Sequence, residues 1–379
     1  MKSSIPFAKR DLDDAKRNNL HRRLFYGRVC GSRIVIGSKS LLNLCSNDYL
    51  GMPALTTQTR QMESSSRLVS GNDYSYEILE KKLARHKYKQ KSLIYPTGYM
   101  ANLGVISAMV KKGDLILSDE LNHASIIQAC RLTGARTLVY RHNDMDDLAD
   151  KIRQKSRNKF VITEGIFSMD GDYAKLPQIV EFAQKYGAMT IVDDAHGDFA
   201  VGADGKGTPN QLRVSKKIDV YISSLSKALG SFGGYVAAGN TVIDLCINRS
   251  KPFIYTSALP SMLVDYSLSR FDSDREKYRK KLLQNIEYFS AHMHQIGYEL
   301  ESDTHIVPII VGDEKTALDM GRFLRRNGIF AQPIRYPTVP RNKARIRISI
   351  TAWLSKNEIR DAVAVFEMAA KKFKMKLSK

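Results

Sequence analysis

The sequence predicts an α/β protein with a mainly parallel sheet flanked by helices and a smaller C-terminal α/β domain. Between residues 114 and 193, short apolar runs alternate with amphipathic segments, which is typical of parallel strands joined by crossover helices. After residue 254, long helical segments replace this alternation and indicate a second, smaller unit. Parallel sheets bind ligands beyond the carboxyl ends of their strands, so the polar residues that end the runs are candidate site residues.

The first 50 residues predict a helix and short strands that form an arm. Six apolar runs then predict strands at 115–118, 137–140, 160–163, 189–193, 219–223 and 234–239. Between the first four runs, amphipathic segments predict helices at 124–132, 145–154 and 176–186.

The C-terminal part predicts a long helical region and a small α/β arrangement. Helices are expected at 261–296, at 315–327 and from Ser355 onward, with strands at 306–311, 329–334 and 345–350. The predicted domains are an arm (1–50), a large α/β domain (51–258), and a connecting helix with the small domain (259–379).

Composition favours a globular protein of a reducing cytoplasm. Of the 379 residues 43% are hydrophobic, and no apolar stretch approaches the ~20 residues of a membrane span. The N-terminal segment lacks the apolar core of a signal peptide. The four cysteines show no CxxC spacing, which predicts neither a disulfide framework nor a metal site.

The charge balance is strongly basic, with 59 Lys and Arg against 39 Asp and Glu, a net charge of +20. Nucleic-acid binding, attraction of an anionic substrate and a solvated basic surface are the three interpretations. The basic runs at 151–159 and 371–379 contain no basic helix with interleaved aromatics. We therefore favour solvated basic faces and expect no nucleic-acid or membrane partner.

A lysine, Lys227, lies within SSLSKALGSFGG (223–234), among small residues and without a charged neighbour from 220 to 240. Such surroundings can depress the pKa of a lysine and make it a nucleophile or Schiff-base former. The alternative is a surface lysine beside a flexible loop.

Three further positions stand at strand ends or helix starts. Asp193 ends a buried run, where its carboxylate either meets a cation or caps a turn. Gly98 in YPTGYMAN opens a helix, where backbone N–H groups can bind an anion. His123 precedes a helix, where it could stack on an aromatic cofactor or serve as an acid or base, or merely cap the helix.

These pieces have one common explanation. A phosphate cradle, an aspartate for a ring nitrogen, a stacking histidine and a Schiff-base lysine are the groups that pyridoxal 5′-phosphate requires. The chain also resembles the α-oxoamine synthases, fold type I pyridoxal-phosphate enzymes, from about Leu12 to its end. The motifs that carry the resemblance are SNDYLGM, SRLVSGN, TGYMAN, LNHAS, TEGIFSMDGD, VDDAHG, SLSKALGSFGG, YTSALP and PTVP…ARIRISITA.

Within the family, TEGIFSMDGD, IVPIIVGD and IRYPTVP resemble most the biotin-pathway branch. That resemblance implies a homodimeric acyltransferase that condenses L-alanine with a pimeloyl thioester, held by CoA or an acyl-carrier protein, and releases CO₂. The alternatives are a sister synthase that uses glycine, serine or another thioester, and a non-catalytic subunit of the same fold, which would be expected to lack Lys227.

The resemblance also implies roles for individual residues. The catalytic residues would be Lys227, His123 and Asp193. Cofactor contacts would further come from Gly98, Tyr99, Ser168, His196 and Ser224, and, from the neighbouring subunit, from Thr256 and Ser257. The substrate would be held by Arg22, Asn47, Arg335, Thr338 and Arg347, with Arg347 binding the alanine carboxylate.

Two positions depart from the family pattern, which commonly has histidines there. This chain has Tyr76 after the RLVSG segment and Trp353-Leu354 after the ITA segment. Neither position has an essential proton transfer in the implied reaction, so the departures bear on acyl-chain specificity.

Overall fold

The computed structural model describes residues 6–56 and 64–378, which form two compact units. The terminal unit comprises the described parts of Met1–Asn47, Met169–Gly171 and Lys280–Lys379. The sheet unit comprises those of Asp48–Ser168 and Asp172–Arg279. The domain boundaries expected at residues 50 and 258 stay predictions. Apart from Met169–Gly171, the chain passes from the terminal unit to the sheet unit after Asn47 and returns to the terminal unit after Arg279.

The elements before the crossover region open with helix α1 and three short strands. In chain order they are α1 (Pro6–Arg17), β1 (Arg28–Cys30), β2 (Arg33–Ile36), β3 (Lys39–Asn43), α2 (Tyr74–His86), β4 (Lys91–Tyr95) and α3 (Gly98–Met109). The alternating region follows with β5 (Leu115–Asp119), α4 (Ala124–Leu132), β6 (Arg136–Tyr140), α5 (Met145–Ile152), β7 (Lys159–Glu164), α6 (Leu176–Lys185) and β8 (Ala188–Asp193).

The remaining elements complete the sheet and form the terminal unit. They are α7 (Thr208–Gln211), β9 (Val220–Ser224), β10 (Gly234–Ala238), α8 (Asn240–Arg249), α9 (Lys251–Ile254), α10 (Ser261–Asp272), α11 (Glu276–Gln295), β11 (Ile306–Gly312), α12 (Glu314–Arg326), β12 (Ile329–Phe330), β13 (Gln332–Ile334), β14 (Ala344–Ser349) and α13 (Lys356–Phe373). Within the described ranges, no helix combines the length and apolar character needed to cross a bilayer.

The sheet unit is built on seven strands in the order β4-β10-β9-β8-β7-β5-β6. Strands β9, β8, β7, β5 and β6 pair in parallel, whereas β10 runs antiparallel to both of its neighbours. Alternate residues of β5 enter two hydrophobic clusters, Ile116 in one and Leu115 and Leu117 in the other. The sheet is therefore covered on both faces, and the predicted α/β fold is confirmed.

The terminal unit contains two smaller sheets, in the orders β1-β2-β3-β12 and β11-β14-β13. The single strand expected at 329–334 is wrong, because it divides between these sheets. Strand β12 pairs in parallel with β3, and β13 pairs antiparallel with β14.

The helical region expected at 261–296 divides into two helices, α10 and α11. Helix α10 ends at Asp272, and Ser273 is extended, with φ −68° and ψ 156°. The Ser273 hydroxyl donates to the Ser269 carbonyl at 2.7 Å. Ser267 and Ser269 make the same bond to the backbone four residues earlier inside α10, so the extended backbone of Ser273, and not its hydroxyl bond, marks the end of the helix.

Candidate active site

Asp193 lies at the carboxyl end of β8, the fourth of the seven strands of the sheet. Its side chain is 8% exposed. The carboxylate accepts hydrogen bonds from Asn102 Nδ2 at 2.6 Å and from the Ala195 backbone N–H at 3.0 Å. Asn102 Nδ2 also donates to Ser125 Oγ at 2.9 Å. Asp193 is therefore held by a side chain of α3 and by its own turn, so its orientation is fixed.

His123 stands at the start of α4 and continues this network. Its Nδ1 accepts from the Ser125 backbone N–H at 3.2 Å and lies 2.7 Å from Ser125 Oγ. Its ring meets that of Tyr99 edge to face, with centroids 6.3 Å apart. Desolvation lowers the pKa of His123, the charge of Asp193 raises it and the charge of Lys227 lowers it. The three predicted catalytic residues therefore share one electrostatic environment.

Lys227 lies in the turn between β9 and β10, and its side chain is half-buried. The turn closes through a bond from the Gly230 N–H to the Lys227 carbonyl at 2.8 Å, with Gly230 at φ +66°. Helix α10 holds the turn from outside. Ser231 Oγ and Ser267 Oγ are 2.7 Å apart, and Arg270 Nη2 donates to the Gly230 carbonyl at 3.4 Å. These contacts anchor the backbone that presents Lys227.

The start of α3 forms a cradle lined by backbone. A Cβ added to Gly98 would lie 3.1 Å from Ser224 Cβ, and one added to Gly234 would lie 2.5 Å from the Gly98 backbone. Thr97 caps the helix by accepting the Met100 N–H at 3.1 Å. The first N–H groups of a helix lack intrahelical partners, so this cradle can bind an anion.

Ser224 adds a hydroxyl beside the cradle. Its Oγ lies 2.8 Å from Ser226 Oγ and contacts the Gly233 carbonyl at 3.3 Å. The structure therefore brings Gly98 and Ser224 together, as the resemblance implies.

Glu164 is a buried acid that sequence reasoning did not single out as a site residue. It ends β7 and pairs in register with Asp193 on β8. Burial raises the pKa of Glu164 well above its usual range, and the charge of Asp193 raises it further. Lys227 and the backbone amides of His123 and Ser168 oppose this rise. The carboxyl group of Glu164 is thus biased toward its neutral form.

His196 follows Asp193 by three residues and is buried. Its Nδ1 lies 2.6 Å from the hydroxyl of Tyr49, which is also buried. This bond orients the imidazole ring of His196. Ser168 is buried after the end of β7, 7% exposed.

Thr256 and Ser257 lie after α9, where they line a small cavity together with Arg67 and Tyr95. Thr256 is half-buried and Ser257 is exposed, next to Tyr255, which is 81% exposed. An exposed position is where a residue that reaches a neighbouring subunit would lie.

The terminal unit holds the predicted carboxylate anchor. Arg347 on β14 donates from Nη1 to Ser349 Oγ at 2.8 Å and from Nη2 to Asn47 Oδ1 at 3.3 Å. Arg345 on the same strand is paired instead with Asp170, at 2.5 Å. Because a carboxylate already occupies Arg345, Arg347 is the better candidate for binding a substrate carboxylate.

Three other predicted substrate residues meet in the terminal unit. Arg22 Nη2 donates to Thr338 Oγ1 at 3.3 Å. Arg335 donates to the backbone carbonyls of Asn19 and His21. Arg22, Arg335 and Thr338 line one cavity of roughly 70 Å³. The structure therefore supports Arg22 as the arginine that lies with the Arg335 segment.

Four site residues escaped the sequence analysis although each lies in a motif that it quoted. They are Tyr49 in SNDYLGM, Asn102 in TGYMAN, Ser125 in LNHAS and Glu164 in TEGIFSMDGD. For Tyr49 and Asn102 membership in a motif was the only signal, because their partners come from distant segments. Ser125 lies two residues from His123, and Glu164 is an acid at the end of a buried strand, like Asp193.

Comparisons with known proteins identify the family of the chain. The family model for aminotransferase class I and II matches residues 39–366. An 8-amino-7-oxononanoate synthase of Thermoanaerobacter pseudethanolicus is 40% identical over 384 aligned residues, which cover 97% of each protein.

Solved structures share the fold over most of the chain. A structure of serine palmitoyltransferase with PLP matches with a TM-score of 0.91 and 25% identity, covering 98% of each chain. The 8-amino-7-oxononanoate synthase of Francisella tularensis matches with a TM-score of 0.74 and 25% identity, covering 88% of this chain and 98% of that one. The chain therefore belongs to the aminotransferase class I and II family and, within it, to the α-oxoamine synthases.

Proposed function

We propose that this chain catalyses the pyridoxal-phosphate-dependent condensation of L-alanine with a pimeloyl thioester, a step of biotin biosynthesis. The products are 8-amino-7-oxononanoate, CO₂ and the free thiol. The observation that supports this most is the hydrogen-bonded series Asp193–Asn102–Ser125–His123, which shares its electrostatic environment with Lys227. Curated relatives at 36–40% identity over most of the chain have this activity in their names.

The residues present fit pyridoxal phosphate. A Cβ on Gly234 would collide with the Gly98 backbone, and one on Gly98 would lie 3.1 Å from Ser224 Cβ, so glycine at both positions keeps the start of α3 close to Ser224. Buried Asn102 Oδ1 has no hydrogen-bond partner among the described residues, so polar capacity is left for a ligand. We assign the phosphate to Gly98, Tyr99 and Ser224, and the ring to Asp193, His123, Ser168 and His196.

The bound cofactor would delocalise the electron pair that remains on the alanine Cα when its proton leaves. Three residues of the chain would promote removal of this proton. Asp193 holds a proton on the ring nitrogen, because a buried carboxylate stabilises a neighbouring cation. Arg347 binds the alanine carboxylate through two N–H donors, which fixes the direction of the Cα–H bond. Lys227 Nζ takes the Cα proton as general base.

Bond formation then joins the alanine Cα to the thioester carbonyl carbon. The C–S bond breaks and the thiol leaves, after which the original alanine carboxylate departs as CO₂. Arg22, Arg335 and Thr338 lie on one cavity of the terminal unit, and we assign them to the acyl donor or product.

We further propose a homodimer in which Thr256 and Ser257 reach the phosphate of the partner's site. Five large apolar side chains of the sheet unit support an interface, because each is more than half exposed: Leu68, Val69, Tyr74, Ile78 and Tyr255. We place the enzyme in the cytoplasm, because all four cysteines are free.

A sister activity with serine or glycine is the second candidate, favoured by the TM-score of 0.91 to serine palmitoyltransferase. A non-catalytic subunit is disfavoured, because Lys227 is present in an anchored turn. Deuterium exchange at Cα, followed without any thioester, separates the amino-acid substrates. Faster exchange of glycine or serine than of alanine would contradict the biotin-pathway assignment and leave the family assignment intact.

Borohydride reduction followed by peptide mapping tests the lysine. We expect the cofactor to be fixed to Lys227 in the wild type and not in Lys227→Ala. Lys91→Ala is the matched control, because Lys91 is exposed and pairs with Asp244 at the surface. A label on any lysine other than Lys227 overturns the assignment.

A further inference from the structure

A short hairpin carries Ser168; its two arms lie in the sheet unit, whereas its tip, Met169–Gly171, belongs to the terminal unit. Ile166 and Tyr173 pair as an antiparallel bridge. The Phe167 N–H donates to the Asp172 carbonyl at 3.0 Å, and the Ala174 N–H donates to the Gly165 carbonyl at 3.0 Å. The two arms are therefore in register, and the position of Ser168 depends on how the arms are held.

His142, in the loop after β6, contacts both arms. Its Nε2 lies 2.8 Å from Asp172 Oδ2 on the returning arm. Its ring meets that of Phe167 on the outgoing arm edge to face, with centroids 4.4 Å apart. Its Nδ1 lies 2.9 Å from Oδ1 of Asp119, the buried carboxylate at the end of β5. His142 thus links the hairpin to the central sheet.

Asn143 reinforces the same arm. Its Nδ2 donates to Asp172 Oδ2 at 2.8 Å and to the Tyr173 carbonyl at 3.0 Å. Its backbone N–H donates to Asp119 Oδ2 at 3.1 Å, and its φ of +53° is one that asparagine tolerates better than most residues. The His142–Asn143 pair therefore binds Asp119 on one side and the returning arm on the other.

The geometry requires a charged ring. A neutral imidazole has one N–H and would present a lone pair to one of the two carboxylates, whereas the imidazolium donates to both. Other charged groups also face this loop. Glu120 Oε1 accepts the His142 backbone N–H at 2.8 Å, Asp147 Oδ2 accepts the Arg141 backbone N–H at 2.8 Å, and Asp144 Oδ2 accepts from Arg141 Nε at 2.9 Å. Burial alone would lower the pKa of His142, but hydrogen bonds and charges of Asp119 and Asp172 raise it to about 10.

We propose that the His142 imidazolium is a positioning residue, which fixes the hairpin and thereby holds Ser168 against the cofactor. The contact between Ser168 and the cofactor rests on the proposed function. The role of His142 in fixing the hairpin does not rest on the proposed function. It is supported by the contacts of His142 and Asn143 described above.

The test is a double-mutant cycle on binding of pyridoxal phosphate to apo-protein, followed by absorbance. His142→Gln removes the cation, and Asp172→Asn removes one partner charge at a site that is 31% exposed, where folding is perturbed less. Each variant is made alone and with Ser168→Ala. His294→Gln, at an exposed position on α11, is the matched control. Amide hydrogen exchange of Phe167 and Ala174 is measured on the same apo-proteins.

We expect His142→Gln and Asp172→Asn to weaken cofactor binding roughly tenfold, the order of one charge-assisted hydrogen bond, and to speed exchange at both amides. When Ser168→Ala is already present, either substitution should weaken cofactor binding by less than a further factor of about two. The reason is that His142 and Asp172 act on the cofactor through Ser168. Equal losses in both backgrounds, or unchanged exchange, overturn the proposal.

This outcome is independent of the acyl donor. If wild-type protein binds pyridoxal phosphate but makes no product from L-alanine and pimeloyl-CoA, the proposed function fails while the binding cycle still decides the role of His142.

Discussion

The substitution Asp193→Asn removes the negative charge of the side chain and keeps its size and shape. The carboxylate is 8% exposed and accepts from Asn102 Nδ2 and from the Ala195 N–H. Asparagine fills the same volume, but one of its two terminal atoms is a donor and loses one of these bonds. That loss costs about 1 kcal/mol of folding free energy. The missing charge costs much more during turnover, because one partner of a buried ion pair is worth about 3–5 kcal/mol.

At 1.36 kcal/mol for each factor of ten, kcat should fall roughly 10²- to 10⁴-fold while the protein stays folded. The assay measures product formation from L-alanine and pimeloyl-CoA, with circular dichroism as the record of folding. Asp219→Asn is the matched control, because Asp219 accepts two hydrogen bonds from Thr190 at the other end of the same strands. Near wild-type kcat in Asp193→Asn with bound cofactor would refute the reasoning.

Three further predictions concern the substrate, the pH dependence and the assembly. Arg347→Lys keeps a positive charge but loses the two-donor geometry toward a carboxylate, so the KM for alanine should rise and Cα exchange should slow; wild-type exchange would place the carboxylate elsewhere. The folded-state pKa of His142 is raised to about 10, so its contribution to the free energy of unfolding is full below about pH 6.5 and is lost as pH rises toward 10. The difference in unfolding free energy between wild type and His142→Gln should shrink over that range, and a constant difference would contradict a protonated ring. Light scattering should give a dimer for the active protein, and a fully active monomer would contradict the roles of Thr256 and Ser257.

The sequence predicted much of the sheet unit, because hydrophobic periodicity reports local burial directly. Strands β5 to β10 lie within one residue of their expected ends, and α4 matches its expected range. The strands of the terminal unit were harder to predict from the sequence. The run 329–334 is continuous in hydrophobicity, but its halves pair with β3 and β14, and pairing depends on strands far away in the chain.

The site shows the same division between local and distant information. Lys227 and Asp193 stood out because a lysine among small residues and an acid at a buried strand end are locally unusual. Asn102 did not, since an amide in a helix is ordinary until its neighbours are known. Glu164 ends a buried strand as Asp193 does, but its role depends on the carboxylate of the adjacent strand. The pairing of Arg345 with Asp170 likewise could not be predicted, because Asp170 lies 175 residues from Arg345.

The central claim is that alanine loses its carboxylate as its Cα joins an acyl thioester. The most direct measurement supplies the purified protein with L-alanine labelled with ¹³C at the carboxyl carbon, pimeloyl-CoA and pyridoxal phosphate. Mass spectrometry should find one equivalent of ¹³CO₂ and one of free CoA for each unlabelled 8-amino-7-oxononanoate, and none of them with Lys227→Ala. A product that retains the label, or turnover that prefers serine or glycine to alanine, would contradict the account.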